Sequence, residues 1–412
     1  MSSLRSSVKS AQPASSRAPY VAVVGQSARM LAQSAARAGL NVVALDLFGD
    51  RDTLHYARFW FDVGEGSGAL KIDRERILDA LERVGHIPHM LGWIAGSGLE
   101  PLVEDLYRTP HLPRWIGNSE DATTAVRDPQ RFFALLDELD IAHPAVSFAR
   151  PAFDPAGWLV KHAAGCGGTH IESLDTWAQN EAAPQVYFQR VDPGQSMSAL
   201  FIAAHQDAVV IGFARQLTVK AGNLPFVHAG SIGPVDLPDG VVDKLHAAID
   251  AIVSRTGLTG LNSIDFLLDG ESFQVLEINA RPSSTMALYE TVWPEQWPRG
   301  LIACHIDACL NGKLPDAMRR PTAPRRRAGQ RVLFAPYDFT VTQAFSDACL
   351  DDSVCHDVPQ PGTRIETGQP VCTLVVTAPS VEDVPDALER ERERLLHRIE
   401  TSDESHHDAI PG

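Results

Sequence analysis

The sequence of 412 residues has few cysteines and no long apolar run, and each shortage excludes a class of protein. Its six cysteines form no CxxC pair, and no secretory signal precedes them, so reduced thiols in a cytosol fit best. No apolar run approaches the roughly 18 residues that a membrane-spanning helix needs. We therefore expect a cytoplasmic protein with no membrane partner.

Positive charge is the second shortage. The chain has 36 Lys and Arg against 52 Asp and Glu, which gives a formal net charge of −16. A surface of this sign repels nucleic acids and anionic membranes, so we expect neither as the main partner. The basic cluster at residues 319–327 is interrupted by prolines, and we interpret it as a solvated linker.

A dinucleotide fingerprint is also missing. Strand, helix and strand patterns at Tyr20–Val24, Ser27–Ala38 and Asn41–Asp46 predict a βαβ opening, but the turn at 25–27 lacks GxGxxG. The chain is long enough for two or three domains. We predict that the first is a Rossmann-like α/β unit.

A glycine-rich loop follows a predicted strand near the middle of the chain. The apolar strand from Trp158 ends in Lys161 and leads into Gly165-Cys166-Gly167-Gly168. Backbone N–H groups of such a loop can wrap phosphate oxygens, and the lysine adds a positive charge. The lysine precedes the loop, so this is not a Walker A motif, and a flexible turn is the alternative.

A predicted hairpin at residues 261–282 carries the most informative pattern. Its turn is Asp269-Gly270, and the two-residue period places Asp265 opposite Glu277. Two carboxylates this close repel unless a cation lies between them, and all-oxygen ligands suit Mg²⁺. Asn279 and Arg281 share the face of Glu277, and the arginine would offer a planar fork to phosphoryl oxygens. An ordinary amphipathic hairpin with a solvated polar face is the alternative.

Three features occur in a fixed order: the strand lysine with its glycine loop, the strand end at Gln189–Val191, and Asp265 followed 12, 14 and 16 residues later by Glu277, Asn279 and Arg281. Together they resemble the ATP-grasp superfamily. The likeness is to its carboxylate–amine ligase type. It implies an α/β and α+β multidomain protein: an ATP-grasp fold with an N-terminal Rossmann-like domain and a small β-rich C-terminal domain. The expected parts are a disordered tail (1–18), the Rossmann-like domain (19–115), the ATP-grasp domain (116–320), a β-rich domain with a helix (326–400) and a tail (401–412).

The resemblance also implies roles for single residues. The nucleotide would be ATP, with its phosphates on Lys161 and its adenine at a hinge made by Gln189 and the backbone of Val191. The mobile lid over the phosphates would be the loop containing Gly165, Gly167 and Gly168. For the second phosphate-binding lysine of many members, Arg131 is the nearest match, and the usual ribose-binding glutamate is replaced in residues 193–196.

The metal and the chemistry follow from the same likeness. Asp265, Glu277 and Asn279 would bind Mg²⁺ or Mn²⁺, and Arg281 would stabilise the transferring phosphoryl group. The implied reaction joins a small-molecule carboxylate to an amine through an acyl-phosphate and releases ADP and phosphate. Candidate substrate contacts are Arg215, Gln216 and His228, each of which could equally be a structural polar residue.

A narrower likeness concerns the substrates. Residues 96–100 and 262–265 most resemble the small group that includes tyramine–glutamate ligase of coenzyme synthesis. Alternatives are a biotin-carboxylase-like enzyme that activates bicarbonate or another carboxylate, and a protein that binds ATP without turnover. Dimers are common in the family, so a homodimer is possible.

Overall fold

The structure is a computed structural model that describes residues 17–66, 70–177, 186–316 and 324–407, with side chains through residue 401. Most of the predicted tail at 1–18, residues 319–323 of the basic cluster and the last residues of the predicted tail at 401–412 lie outside the described residues. Among the residues that the structure describes, no helix is long and apolar enough to cross a membrane.

The N-terminal unit is a parallel sheet with helices packed against it. Its strands have the order β3-β2-β1-β4, and the predicted βαβ opening is its first half. Because β1 lies between β2 and β4, the loops that follow β1 and β4 flank a crevice at the carboxyl ends of the strands. The elements are β1 (Tyr20–Val24), α1 (Arg29–Arg37), β2 (Asn41–Asp46), α2 (Arg51–Tyr56), β3 (Ala57–Asp62), α3 (Arg74–Gly85) and β4 (Met90–Ala95).

Short helices connect this unit to the rest of the chain. A 3₁₀ turn at Glu100–Leu102 precedes α4 (Val103–Arg108), α5 (Glu120–Arg127) and α6 (Pro129–Glu138). Asp128 separates the last two helices and caps α6, since its side chain accepts hydrogen bonds from the backbone N–H groups of Gln130 and Arg131. This break resets the helical phase between α5 and α6.

The glycine-rich loop belongs to a small antiparallel sheet of order β5-β8-β6-β7. The loop joins β6 to β7, and Val160, Leu174 and Phe188 form the core beneath the sheet. The strands are β5 (Val146–Ser147), β6 (Trp158–His162), β7 (Ile171–Ser173) and β8 (Val186–Arg190).

An eight-stranded sheet of order β13-β12-β9-β10-β11-β14-β18-β16 spans the remaining chain. Side chains of β9 alternate between two cores: Leu200 and Ile202 face α8 and α9, whereas Ala199 and Phe201 face α7. The elements are β9 (Gln195–Ala204), β10 (Asp207–Ala221), β11 (Leu224–Gly233), α7 (Asp239–Thr256), β12 (Gly260–Asp269), β13 (Ser272–Asn279), α8 (Met286–Val292), α9 (Leu301–Asn311), β14 (Arg327–Phe334), β15 (Phe339–Thr340), α10 (Gln343–Leu350), β16 (Cys355–His356), β17 (Arg364–Ile365), β18 (Pro370–Ala378) and α11 (Asp383–His407).

The C-terminal β-rich region is continuous with this sheet. Strand β14 pairs with β11 on one side and with β18 on the other, which joins the region to the strands of the predicted metal hairpin. Helix α11 covers β14 and β18 with Val384, Leu388 and Leu395. Arg327, expected in a solvated linker, instead begins β14, and its guanidinium pairs with Asp236 at 2.6 Å.

A buried ion cluster ties the N-terminal unit to the C-terminal region. The Arg29 side chain, 6% exposed, lies 3.1 Å from the Asp357 carboxylate and 3.7 Å from that of Asp52. Asp52 also accepts hydrogen bonds from the backbone N–H groups of Asp357 and Val358. The pKa of Arg29 is raised because, although burial lowers it, the two carboxylates more than compensate.

We expect Arg29→Ala to lower the free energy of unfolding by about 3–5 kcal/mol, since it leaves two carboxylates buried without their cation. Arg83→Ala is the control, because its pair with Asp79 is 65% and 60% exposed and should contribute about 1 kcal/mol or less. Urea-induced unfolding of the two variants measures the difference. Equal unfolding midpoints would show that the cluster adds no net stability.

Candidate active site

The predicted hairpin is formed by β12 and β13. Asp265 pairs with Glu277, and Ser263 pairs with Asn279, in the antiparallel register. The turn is at Gly270, whose φ of 58° lies in the left-handed region that glycine adopts without strain. The side-chain amide of Asn279 donates a hydrogen bond to Asp265 at 3.2 Å. The carboxylates and the amide are therefore adjacent on one face of the large sheet.

Lys161 reaches this pair from the small sheet. Its side chain is 3% exposed, and its Nζ lies 3.8 Å from the Glu277 carboxylate and 3.2 Å from Oε1 of Gln189. Burial alone lowers the pKa of Lys161, but Tyr187 and Glu277 outweigh it and raise the pKa above its ordinary value. The ammonium is therefore charged and is held between the two sheets.

The carboxylate pair has the electrostatics of a cation site. Burial, and then repulsion from Glu277, raise the pKa of Asp265 to about 7. Burial has the same tendency at Glu277, but Lys161 and other cationic groups lower its pKa below the ordinary value. A divalent cation near both oxygens would remove the repulsion that makes Asp265 hard to ionise.

The donor set fits Mg²⁺ only if a substrate completes it. In the described part of the chain, no group of three or more His, Cys, Asp or Glu side chains surrounds a metal position. Asp265, Glu277 and the Asn279 amide supply oxygens, and Mg²⁺ commonly takes its other ligands from phosphates and water. The residues therefore fit a metal that arrives with a phosphorylated substrate.

Arg281 lies just beyond β13 and is held in a fixed orientation. Its Nε donates to Oε1 of Glu100 at 2.8 Å, and its Nη2 contacts Oδ1 of Asn279 at 3.3 Å. The side chains of Arg281 and Glu100 are 17% and 7% exposed. Although burial lowers the pKa of Arg281, Glu100 raises it, so the guanidinium stays charged next to the carboxylate pair.

The glycine-rich loop is folded onto β11. The backbone N–H of His228 donates to the carbonyl of Gly167 at 3.0 Å. Gly168 has φ of 75°, and a Cβ there would lie 1.9 Å from the carbonyl oxygen of Phe226, so only glycine permits this approach. At Gly165 a Cβ would lie 2.0 Å from the Cβ of His170 and 2.2 Å from Cγ of its ring. The loop thus reaches over the space between the two sheets.

The structure does not bring Arg131 into this group. Arg131 is exposed on α6, whose buried side chains Phe132, Phe133 and Leu136 occupy the other face. Arg127, at the end of α5, contacts the glycine-rich loop instead: its Nη2 donates to the carbonyls of Ala163 and Gly165, both at 3.0 Å.

The predicted hinge residues occupy the end of β8. Gln189 is 2% exposed and contacts Lys161 through Oε1, while its Nε2 has no partner among the described residues. Val191 is 42% exposed, and its N–H donates to the carbonyl of Gly157 at 2.9 Å. The buried amide nitrogen of Gln189 is a donor available to a ligand.

The candidate substrate contacts divide between two faces of the sheet. Gln216 accepts a hydrogen bond from the Ser196 hydroxyl at 2.8 Å and also contacts Asp265, so it lies on the face of the large sheet that carries Asp265 and Glu277. Arg215 precedes it on β10 and pairs with Met197, whose side chain packs in the opposite core. Burial, and then Arg281, lower the pKa of His228 to about 4, so this imidazole is neutral beside the arginine.

Sequence reasoning missed three residues at the site. They are Arg127, Glu100 and His170. The buried Nδ1 of His170 has no partner in the part of the chain described. Burial lowers the pKa of His170, which leaves the imidazole neutral near Glu277. Glu100 had one available signal, since it follows a glycine-containing loop at the carboxyl end of a parallel strand, where such sheets bind ligands.

We expect Arg127→Ala to lower kcat/KM for ATP by about tenfold to 100-fold, because this factor corresponds to the free energy of one hydrogen bond made by a charged group. The guanidinium holds the glycine loop and lies near Glu277. Arg131→Ala is the matched control and should change kcat/KM by no more than about twofold, as surface substitutions do. Steady-state ADP release measures both variants, and a larger loss in the Arg131 variant would reverse the assignment.

Comparison with known proteins identifies the domain in which these residues lie. Residues 127–285 match the family model of the ATP-grasp domain. Over 289 residues the chain is 23% identical to an uncharacterised protein of Methanocaldococcus jannaschii, an alignment that covers 69% of this chain. The chain spans 64% of the length of that relative.

Solved structures share the fold across most of the chain. The L-amino acid ligase of Bacillus licheniformis has a TM-score of 0.61 at 13% identity, with 91% of this chain and 97% of that chain covered. The biotin carboxylase domain dimer of the 2-oxoglutarate carboxylase of Hydrogenobacter thermophilus, in complex with MgADP, ADP and bicarbonate, has a TM-score of 0.63 at 13% identity, covering 87% and 86%.

The fold is that of the ATP-grasp proteins. The chain contains an ATP-grasp domain, and the matched residues include Lys161, the glycine-rich loop and the whole metal hairpin. The ATP-grasp fold predicted from the sequence is confirmed. ATP-grasp enzymes use ATP with Mg²⁺, in agreement with the predicted nucleotide and metal.

Proposed function

We propose that the protein is an ATP- and Mg²⁺-dependent ligase that joins a carboxylate to an amine through an acyl-phosphate. The observation that carries the proposal is the grouping of charges at one place. Lys161, Arg127 and Arg281 surround the pair Asp265 and Glu277, where two sheets meet. A protein that binds ATP without turnover needs no arginine fixed next to the carboxylates proposed to bind the metal.

The first step activates the carboxylate. A carboxylate oxygen attacks the γ-phosphorus of ATP, the bond from that phosphorus to the β,γ-bridging oxygen breaks, and ADP leaves. Lys161 would hold phosphate oxygens, and Arg281 would stabilise charge on the transferring group. Asp265, Glu277 and Asn279 would hold Mg²⁺, which when bound supplies Lewis-acid polarisation and a template for the phosphate oxygens.

The second step forms the amide. The amine nitrogen attacks the acyl carbon, the bond from that carbon to the phosphate oxygen breaks, and phosphate leaves with the electron pair. Phosphate is a far better leaving group than oxide, which is why the carboxylate must first be phosphorylated. The protein's part is to position the reactants and to exclude water, and the glycine loop folded onto β11 can cover the reacting groups.

The substrate class is proposed from the same evidence. The structural neighbour from Bacillus licheniformis is an L-amino acid ligase, and we therefore propose an amino-acid carboxylate as the acceptor of the phosphoryl group. Glutamate with tyramine is the first pair to test, because residues 96–100 and 262–265 resemble the tyramine–glutamate ligase group. A homodimer is part of the proposal, and one neighbour in fold is a dimer.

The test is Mg²⁺-dependent ADP release by the purified protein with carboxylates alone, amines alone and both together. We expect ADP only when a carboxylate and an amine are both present, with an amide product identified by mass spectrometry. ADP with bicarbonate alone would instead indicate carboxylate activation of the biotin-carboxylase kind. Tight ATP binding without ADP under any of these conditions would contradict the ligase proposal.

A further inference from the structure

A third carboxylate, Glu100, lies at the site without a role in holding metal. It follows the loop after β4, on one side of the crevice in the parallel sheet. The opposite side is the loop after β1, and the two loops are joined where the N–H of Gln26 donates to the carbonyl of Ser97 at 2.9 Å. Ligands of open α/β sheets bind in such crevices.

One of the donors that surround the Glu100 carboxylate is weak enough for a ligand to replace. Oε1 accepts from Arg281 at 2.8 Å, Oε2 accepts from the backbone N–H of Gly98 at 2.7 Å, and the thiol of Cys166 and the backbone N–H of Glu100 itself also bond to the carboxylate. These contacts use the roughly four acceptor positions of a carboxylate, and the thiol, which is a weak donor, is the one that an ammonium would replace. Burial raises the pKa of Glu100, but Arg281 and Arg127 outweigh it and keep the carboxylate ionised.

The charge of Glu100 is unexpected in a site for anions. ATP and the carboxylate substrate are both negative, and pairing Arg281 with Glu100 reduces the attraction of that arginine for them. Asp265 and Glu277 are accounted for by a metal ion. A cation is therefore the ligand that would explain the third carboxylate, and the amine substrate, which is an ammonium in neutral solution, is the cation that the reaction requires.

Three other carboxylates near the crevice, Asp46, Asp52 and Asp357, are already engaged. Asp357 is held by Arg29 at 3.1 Å and by the Ser27 hydroxyl at 2.9 Å. Asp52 accepts two backbone N–H groups, and Asp46 accepts the backbone N–H of Ala28 and the indole N–H of Trp60. Of these carboxylates, only Glu100 contacts Arg281, next to which the acyl-phosphate would form.

We infer that Glu100 binds the ammonium group of the amine substrate and accepts its proton when the amide forms. The inference rests on the proposed ligase function. The ammonium gives one proton to the Glu100 carboxylate, and the freed nitrogen lone pair forms the C–N bond. The C–O bond to the phosphoryl group breaks, phosphate leaves with the electron pair and takes up the second N–H proton, and Glu100 releases its proton to water.

The experiment separates acyl-phosphate formation from attack by the amine. Hydroxylamine, a weakly basic nucleophile that is neutral at the assay pH, traps an acyl-phosphate as a hydroxamate without an ammonium site. We expect Glu100→Gln to lower amide formation by at least about 100-fold, as loss of a general base does, and hydroxamate formation by less than about tenfold. Glu100→Asp keeps the charge and should retain amide formation to within about tenfold of the wild type.

Glu104→Gln is the matched control, because Glu104 is 68% exposed on the following helix and should leave both products unchanged. Equal loss of amide and hydroxamate in Glu100→Gln would mean that Glu100 acts only by orienting Arg281, and it would overturn the inference, as would normal amide formation. If the wild-type protein makes hydroxamate and Glu100→Gln gives either of these two results, the amine site is refuted while the ligase function stands. Wild-type protein that makes neither hydroxamate nor ADP refutes the ligase function itself.

Discussion

Glu277→Gln should lower Mg²⁺-dependent ADP formation by about 10³-fold or more, because it removes an ionised metal ligand from the place where charge develops. Glu277 is the more acidic member of the pair, since cationic neighbours keep its pKa low while that of Asp265 is raised to about 7. The substitution also leaves buried Lys161 without the carboxylate that lies 3.8 Å away. Both effects weaken the binding of MgATP in its reactive position.

The matched control for this prediction is Glu271→Gln. Glu271 lies in the turn of the same hairpin and is exposed, so the same change of charge there should leave turnover within about twofold of the wild type. ADP release at saturating ATP, measured over a range of Mg²⁺ concentrations, compares the two variants. Turnover by Glu277→Gln close to that of the control would exclude Glu277 as a metal ligand.

The hairpin could be predicted because its geometry is local. A turn at Gly270 and a two-residue period determine which side chains share a face, and Asp265 lies opposite Glu277 as that pattern requires. Lys161 and the glycine loop follow each other directly in the chain for the same reason. Their approach to the hairpin could be inferred only from the family resemblance, because it depends on how two sheets pack.

The choice between Arg127 and Arg131 shows where local pattern fails. The two residues are one helical turn apart in the sequence, but Asp128 ends α5 and caps α6 between them. Two helices with different axes direct the two arginines differently, so spacing alone cannot say which one reaches the glycine-rich loop. Glu100 was missed for a related reason, since its partner Arg281 is 181 positions away.

Strand partners in the C-terminal region were equally inaccessible. The sequence predicts a β-rich domain with a helix at residues 326–400, and β18 in this region is a strand with alternating burial. Its inclusion in the large sheet depends on the pairing of β11 with β14, whose paired residues Gly230 and Arg331 are far apart in sequence. Nothing in a single strand encodes so distant a partner, because any amphipathic edge strand offers the same backbone donors and acceptors.

Arg281→Ala should lower kcat by about 10²–10³-fold while KM for ATP changes by less than about threefold, because a group that acts on the transferring phosphoryl affects the transition state more than the bound substrate. Different residues account for the two constants. Arg281 lies beside Asn279 and Glu100, whereas Lys161 and Gln189 are the buried groups expected to hold ATP. Steady-state kinetics with varied ATP measures both constants.

Arg281→Lys distinguishes the geometry of the guanidinium from its charge. A lysine keeps the positive charge but cannot bond to Glu100, Asn279 and a phosphoryl oxygen through one planar fork, so we expect at least a tenfold loss of kcat, about 1.4 kcal/mol of transition-state stabilisation. Thermal unfolding of the variants serves as the folding control, since removal of the cation leaves Glu100 buried and unpaired. If the lysine variant matched the wild type, charge alone would suffice and the fixed orientation of Arg281 would be unimportant. If the alanine variant instead lost affinity for ATP with kcat unchanged, Arg281 would be a nucleotide-binding residue rather than a group that stabilises phosphoryl transfer.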